Sequence, residues 1–528
     1  MNQARVKAMT LAAMCFALFM SNTDDTSLNV ALPSIQASLG SHVSGLQWII
    51  NANTLPAVSL ALPSGALGDN FGRKRVFLTA LVIYTFASIL CGFAPSLGIL
   101  ISGRFIQGIG AAALVPTSLS ILGDTFPDPK EKAKAIGIWS AVSGIALIAG
   151  PALGGVFVDI WGWQSIFFFN VPVGAIAFVL TCRVVRESKK LTQQHLDVPG
   201  LLFSIIFLAS LTYAIIESNN LVWHSPLIVL LLTIVGFSLI AFLVVESRSS
   251  HPMLPLELFK NQTFAVVNFV SVLVFFTFLS LLFIFSLFLQ QVQGYSATVA
   301  GLCFVPLNAA FVIASLASGW LAARFGWRYV IAAGLTMGSV VTLSFIRANA
   351  DTEYATVMWN LVLSGFGSGL AVSPLAAAAM SSAPPAKGGI ASAILNASNL
   401  LGGLLGIAFI GTILAQRLTS DLARSLSAWG LPANIQEKLV ADALRGKANI
   451  PNGLASNISE VALHQAISNA FVSGLHTALL VASAALLVGA FLVLAFVQPT
   501  FNQATKNSHL STVSKREGGK FWKRVYKR

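Results

Sequence analysis

Residues 65–75 read GALGDNFGRKR, and residues 319–328 read GWLAARFGWR. The second stretch lies 254 residues after the first, and both carry G-x-L-x-x-x-F-G with a base following. Glycine at these points suits tight turns and close helix approach. Chance similarity between two short basic loops is the plain alternative. Position favours duplication, because each copy follows the second apolar run of a six-run set.

The runs themselves set the frame. A helix crosses a bilayer with about 20 apolar residues. Fourteen such runs lie near 8–32, 47–67, 76–94, 98–122, 135–157, 164–182, 198–217, 226–245, 264–290, 299–322, 329–347, 356–378, 389–415 and 475–498. The first follows Arg5 and Lys7 like a signal peptide, but it holds Asp24 and Asp25 and has no clear small-x-small cleavage site, so it reads as a mature helix. The expected fold is an all-α membrane protein of fourteen spans in a 6+2+6 arrangement. Residues 1–190 make one six-helix bundle and 191–261 a two-helix insert. Residues 262–500 make the second bundle, with a long outer loop at 416–474, and 501–528 form a basic tail. Parallel repeats of this kind place a substrate site at the midplane between the halves.

Composition agrees. Only 10% of the 528 residues are charged and 55% are hydrophobic, whereas a soluble domain carries about 25% charged residues. That excludes a soluble globule, which would expose large apolar patches, and disorder, which needs low hydrophobicity. The net charge of +13 does not signal nucleic acid. With fourteen spans and both termini in the cytoplasm, 25 of the 32 Lys and Arg fall on the inner side, as the positive-inside rule requires. The lipid bilayer is therefore the expected surrounding, and anionic lipid the expected contact of the tail.

Enzyme chemistry finds no footing. Cys15, Cys91, Cys182 and Cys303 sit in apolar runs without metal or redox spacing. No HExxH, Walker A loop or GxSxG elbow occurs. No metal or cofactor is implied, and ATP-driven transport by this chain alone is not expected.

Four further stretches make the sequence recognisable. They are Asp24-Asp25-Thr26-Ser-Leu-Asn29-Val-Ala31-Leu32-Pro33, then Arg104-Phe-Ile-Gln107-Gly108-Ile-Gly110. Gly150-Pro151-Ala-Leu-Gly154-Gly155 follows, and then Ile166-Phe167-Phe-Phe-Asn170-Val-Pro172-Val-Gly174. With the loop at 65–75, which looks like motif A, the chain resembles the fourteen-span drug:proton antiporters of the major facilitator superfamily, from helix 1 through helix 14. The Arg104 stretch is similar to motif B and the Gly150 stretch to the antiporter motif C. Residues 162–167 look most like the methylenomycin-resistance branch. Gln164 and Asn399 stand where the family often has Arg, which puts substrate charge in question. The second loop has Ala323 where the first has Asp69.

Residue roles follow from position and from that likeness. Asp24 and Asp25 lie deep in helix 1, where a charge costs a few kcal/mol. Burial and a neighbouring acid both disfavour an ionised carboxyl group, which suits a group that gains and loses a proton each cycle. Neighbouring helix positions point about 100° apart, so both acids cannot face the cavity equally. Asp24 matches the family acid and is the expected carrier; Asp25 shares the proton or faces outer water. The opposing reading makes both acids interfacial. Arg104 is the one base within a span, either a group that tunes the acid or a structural one held by carbonyls. Gly150, Pro151, Gly154 and Gly155 make a tight seam and hinge, on small-residue packing alone or, by the likeness, as an export-favouring seal. In motif A, Gly65 and Gly72 suit tight turns or close helix approach. Asp69 is expected to cap helix 13 of the other half near Gly388, and Arg73 to pair with Asp124. Lys74 and Arg75 read as topology signals. Asn29, Gln107, Asn396 and Asn399 are expected to line the substrate cavity.

The resemblance thus implies a proton-coupled antiporter of the inner membrane, acting as a monomer, that exports amphipathic drugs, antibiotics, dyes or organic cations. A proton-coupled nutrient symporter on the same fold is the alternative.

Overall fold

The computed structural model describes residues 3–188, 197–219, 221, 225–250, 252–384, 387–446 and 459–498. Lys189, Lys190, Lys447 and the basic tail at 501–528 lie outside the described residues. Within them the chain forms fifteen α-helices and no strand. These are α1 (Gln3–Leu39), α2 (Val43–Phe71), α3 (Arg73–Gly92), α4 (Leu97–Thr125), α5 (Pro129–Trp161), α6 (Ser165–Val184), α7 (Val198–Glu217), α8 (Pro226–Arg248) and α9 (Gln262–Leu287). Then come α10 (Ala297–Phe325), α11 (Trp327–Ser344), α12 (Tyr354–Ser382), α13 (Gly388–Ala428), α14 (Ala433–Leu444) and α15 (Glu460–Phe496).

Thirteen of these helices are long and apolar enough to cross a membrane. α2 is not among them, although its 29 residues suffice in length. Its hydropathy is diluted by Gln47, Asn51 and Asn53, which turn inward and are buried. With α2 the spans number fourteen, and α14 crosses nothing.

The two similar loops turn on a positive-φ glycine in the same place. Gly72 joins α2 to α3 at φ +100°, and Gly326 joins α10 to α11 at φ +85°. A side chain is strained in that region, so the glycine of each copy is a backbone requirement.

Sequence reading ended the last two spans at the membrane, with 416–474 as a loop between them. The structure corrects this. α13 runs for 41 residues and α15 for 37, roughly 60 and 55 Å at the helical rise against a hydrocarbon core of about 30 Å. Both project beyond the outer surface. Leu418, Leu422 and Leu426 recur on one face of the α13 extension and are buried, as are Leu439, Val440 and Ala443 of α14. An apolar stripe at helical spacing needs a partner, so the α13 extension and α14 pack together as an outer cap.

Packing separates the molecule by depth. The largest apolar core lies toward the outer side and draws on both halves, with Val30, Ile35 and Ile49 packed among residues such as Phe285, Phe288 and Phe304. Toward the cytoplasm the halves have their own cores. One is built from α1, α3, α4, α5 and α6, and the other from α9, α11, α12, α13 and α15. A Cβ at Gly65, Gly319, Gly388 or Gly389 would meet nothing within 4 Å. The halves are joined outside and splayed inside, an inward-open arrangement.

Candidate functional site

The polar centre lies within the N-terminal half, where α1, α3, α4 and α6 meet. Glycines bring α4 close enough. A Cβ at Gly108 would strike the Asn53 carbonyl of α2, and one at Gly110 would lie 2.7 Å from the Ala80 carbonyl of α3. Arg104 of α4 is thereby driven inward, and its side chain is only 1% exposed. Its Nη1 donates to Asp24 Oδ2 at 2.5 Å and to Gln107 Oε1 at 2.7 Å, and its Nε donates to the Ile49 carbonyl at 3.1 Å. The guanidinium also lies 5.9 Å from the Phe167 ring centre. Asn170 Nδ2 donates to Asp24 Oδ1 at 2.7 Å, and Gln107 Nε2 reaches the same oxygen at 3.3 Å. Ser88 Oγ accepts from Gln107 and Asn170 and donates to the Tyr84 carbonyl. Both Asp24 oxygens are thus engaged, and the carboxylate is fully enclosed. A buried pair of this kind is costly to break, since either partner alone would be an uncompensated charge.

Asp25 behaves differently. Its side chain is 56% exposed, and Arg104 Nη2 stands 4.0 Å away. The 100° step between adjacent positions buries one acid and turns the other toward open space at mid-helix. Both are drawn to a single guanidinium.

The four residues expected along the substrate cavity separate. Gln107 does not line open space: it is fully buried with both ends of its amide used, because the Asp24–Arg104 pair needs it. Asn29 is buried too, its Nδ2 donating to the Asp25 carbonyl, while its own carbonyl accepts from Ser286 of α9. Asn396 is exposed and Asn399 half-buried, its Oδ1 without a partner among the described residues. By helical rotation they lie opposite Ile394 and Leu401, which border the insert.

The small-residue seam of α5 touches this centre. A Cβ at Gly150 would strike Thr26, and one at Gly154 would lie 2.5 Å from the Ser27 Cβ, both residues of α1. On its other side α5 meets the second half. Gly155 abuts the Ala297 carbonyl and Gly301 the Pro151 carbonyl, and Asn308 donates to the Leu147 carbonyl at 2.9 Å. One helix therefore packs backbone to backbone against the acid-bearing α1 and against α10.

The gate contacts are distributed by side. Arg73 pairs with Asp124 at 2.7 Å as expected. Asp69 does not cap α13. It pairs with Arg73 at 2.9 Å, because the halves stand apart at the cytoplasmic end. The helix-capping chemistry expected there occurs at the opposite face. Asp159, at the outer end of α5, accepts from the backbone N–H of Ala297 and Thr298 at 3.3 and 2.8 Å, at the start of α10. A carboxylate at a helix N-terminus meets partial positive charge, and here it bridges the halves. Lys74 does more than mark topology, since its Nζ donates to the Cys182 carbonyl at 3.0 Å.

Sequence reasoning missed the cap's role in the outer seal. Gln36 at the end of α1 donates to the Leu444 carbonyl at 2.8 Å and accepts from Gln291 at 2.6 Å. Arg445 Nε lies 3.3 Å from His42 Nε2. His42 sits between α1 and α2, and burial together with the Arg445 charge holds its pKa below the ordinary histidine value. Nothing local in the sequence pairs residues some 400 positions apart.

Comparison with known proteins places this architecture. Residues 14–407 match the Major Facilitator Superfamily. The multidrug resistance protein Stp of Mycobacterium tuberculosis strain H37Rv is 36% identical over 492 residues, covering 92% of this chain and 91% of that protein. The methylenomycin A resistance protein of Bacillus subtilis is 33% identical, covering 76% and 87%. The riboflavin transporter RibZ of Clostridioides difficile is 32% identical, covering 78% and 89%. A bacterial homologue of the lysosomal transporter Spinster, solved inward-facing and unoccupied, shares the fold. Its TM-score is 0.66 at 17% identity, over 94% of this chain and 99% of that one.

Proposed function

The chain belongs to the Major Facilitator Superfamily, and from that premise we propose that it is a proton-coupled antiporter exporting amphipathic small molecules, organic cations foremost, by alternating access. As a family member it is a multi-pass protein of the inner membrane and a transporter, not an enzyme. The names of its relatives Stp and the methylenomycin A resistance protein support a drug as cargo.

One observation carries the coupling. Two carboxylates, Asp24 and Asp25, share one guanidinium, that of Arg104. With both ionised the centre holds one uncompensated negative charge, reachable through Asp25. A proton neutralises it, and so does a cationic substrate, but both at once overfill it. Mutual exclusion of two cations at one negative site is the condition for exchange. Asp24, the carrier in this reading, passes its proton by way of the exposed Asp25. The centre touches α5 through Thr26, so its charge state bears on the seam that links the halves. One monomer holds all of these parts.

The test uses everted membrane vesicles. An exporter of this kind takes up a quaternary amine or dye against a proton gradient and releases protons as it does so. Asp24→Asn should abolish substrate-induced proton release, and a protonophore should abolish uptake. Release of normal size from Asp24→Asn would remove Asp24 as the carrier. The name of RibZ keeps a vitamin-like cargo as the second reading, for which a metabolite rather than a dye drives the exchange.

A further inference from the structure

An apolar cavity of about 450 Å³ lies between the two-helix insert and both halves. Its walls include Val58 and Leu62 of α2, Phe207 of α7, Phe242 of α8, and Ile394 and Ala397 of α13. Leu254 and Phe259, in the linker from α8 to α9, complete it. These residues come from the cytoplasmic halves of their spans, so the cavity sits at the depth of the cytoplasmic leaflet. Two further lining residues mark its mouth. Leu239 of α8 is 37% exposed and Phe269 of α9 is 50% exposed, so the cavity opens to the bilayer between these helices.

The lining offers nothing to a polar guest. Among the described residues no charged side chain borders it. Four polar ones do, and each is satisfied within the protein. Ser59 donates to the Leu55 carbonyl at 2.9 Å and Ser204 to the Leu201 carbonyl at 2.8 Å. Asn268 Nδ2 donates to the Phe264 carbonyl at 2.8 Å, and its Oδ1 accepts from Ser398 at 3.2 Å. A cationic cargo would find no counter-charge here, whereas a hydrocarbon chain needs none. Apolar cavities exclude water, and an unfilled one forfeits the dispersion contacts of its walls. Lipid tails are as apolar as leucine and stand at the mouth. The volume falls within the range of about 300–1,000 Å³ found for small-ligand sites. Charge at the cytoplasmic edge is complementary. Lys260 directly follows Phe259, Arg248 lies further along α8 from Phe242, and both bases are exposed. Anionic headgroups line that surface of the membrane. Glu257, the nearby acid, is paired with Lys387 at 3.2 Å.

We propose that this cavity binds an acyl chain of an anionic phospholipid from the cytoplasmic leaflet, with the headgroup at Lys260 and Arg248. The site is separate from the Asp24–Arg104 centre and does not depend on what is exported. At its outer end the insert is fastened by protein contacts alone. Trp48 Nε1 donates to Glu217 at 3.2 Å, and Thr412 donates to the Ile215 carbonyl at 3.0 Å. At the inner end the lipid tail takes their place, filling the gap between α8 and the second half.

The experiment takes the full chain in phosphatidylcholine nanodiscs. These carry a small share of phosphatidylglycerol with a photoactivatable diazirine on its acyl chain. Peptide mapping should place the label on Phe207, Met253 and Ile394 several-fold above Phe237 and Ile240, which are exposed on α8. Ala397→Phe fills the cavity and should cut the cavity label several-fold, with the label on Phe237 and Ile240 unchanged. Ala265→Leu, a milder filling of the same cavity, should act in the same direction. A phosphatidylcholine probe with the same chain should label the cavity less. Joint Lys260→Gln and Arg248→Gln should remove that preference. Label spread evenly over α8, or undiminished in both filling variants, overturns the proposal. So does equal labelling by the two lipids in the wild type, or a preference that survives loss of both bases. Displacement of the label by tetraphenylphosphonium overturns it too, by making the cavity a cargo site.

Discussion

The two halves share one plan of six helices and one glycine-hinged loop, yet their interiors differ in kind. At mid-depth the first half holds Asp24, Asp25, Arg104, Gln107 and Asn170 in one connected group. The second half holds rings instead, from mid-depth to its outer end. Phe278 stacks 4.8 Å from Phe311 and Phe285 lies 4.5 Å from Phe345. Asp, Glu, Lys and Arg are absent from α9 and α12, and in α10 and α11 occur only near the cytoplasmic ends, as Arg324 and Arg328. The loop copies differ in the same sense. Asp69, Arg73 and Asp124 form an ionic cluster in the first. In the second, Arg324 lies over Trp320 and Phe325, and Arg328 donates to the Leu494 carbonyl. The two loop copies share the backbone requirement and differ in their chemistry. Charge responds to protons, whereas packed rings do not, so the proposed antiport assigns the proton to the first half.

The largest break in this contrast comes from Arg104→Gln. It strands Asp24 in a closed site, and removing one partner of a buried pair costs about 3–5 kcal/mol. Thermal unfolding in detergent should show the loss, and substrate-induced proton release should vanish with it. Phe278→Ala is the matching change in the second half. Phe278 is 3% exposed, and truncating such a ring costs about 3–5 kcal/mol. Here the protons released per substrate should stay at the wild-type value. A changed ratio in Phe278→Ala would mean that coupling is spread over both halves.

A smaller effect separates the loop copies. Asp69 and Arg73 are about one-fifth exposed, and partly solvated pairs contribute roughly 0.2–1 kcal/mol. Asp69→Asn should shift stability little but slow turnover. The equivalent position, Ala323, should accept Asn without kinetic change. Equal slowing in both would refute a special role for the first loop.

Much of this was legible in the sequence, and the rest has a physical reason for hiding. Apolar runs and the placement of bases give the spans, because the bilayer imposes length and sidedness directly. Asp24 and Arg104 stand out because a charge in a span is expensive. The separation of Asp24 from Asp25 was not legible, since it depends on the rotation of α1 against α4. Asn170 and Ser88 were overlooked as partners because polar, uncharged residues are common in spans and only three-dimensional proximity marks these two. The Asp159 cap on α10 was missed for a different reason. Sequence reading anticipated this kind of interaction at the cytoplasmic end, because a sequence does not tell which face of the molecule is closed.

The finest comparison sets the closed outer face against the splayed inner one. Outside, the halves are held by Asp159 on α10, by Gln36 on Leu444 and by His42 beside Arg445. His42 is partly buried and next to a guanidinium, and both effects lower its pKa in the closed state. Once the cap lifts, the ring regains the ordinary value near about 6.5. The lifted state therefore binds the proton more tightly, and acid outside favours it. The contribution of His42 to closure is complete above that value and is lost as the outer pH falls through the lowered one. Spin labels on the exposed Ser96 and Asn434 would report the distance from the first half to the cap. Acidification should raise the long-distance population modestly in the wild type. In His42→Gln, which keeps a neutral polar group beside Arg445, the population should not follow pH in that range. Equal pH responses in the two proteins would assign the outer seal to Asp159 and Gln36 and leave His42 without a part in it.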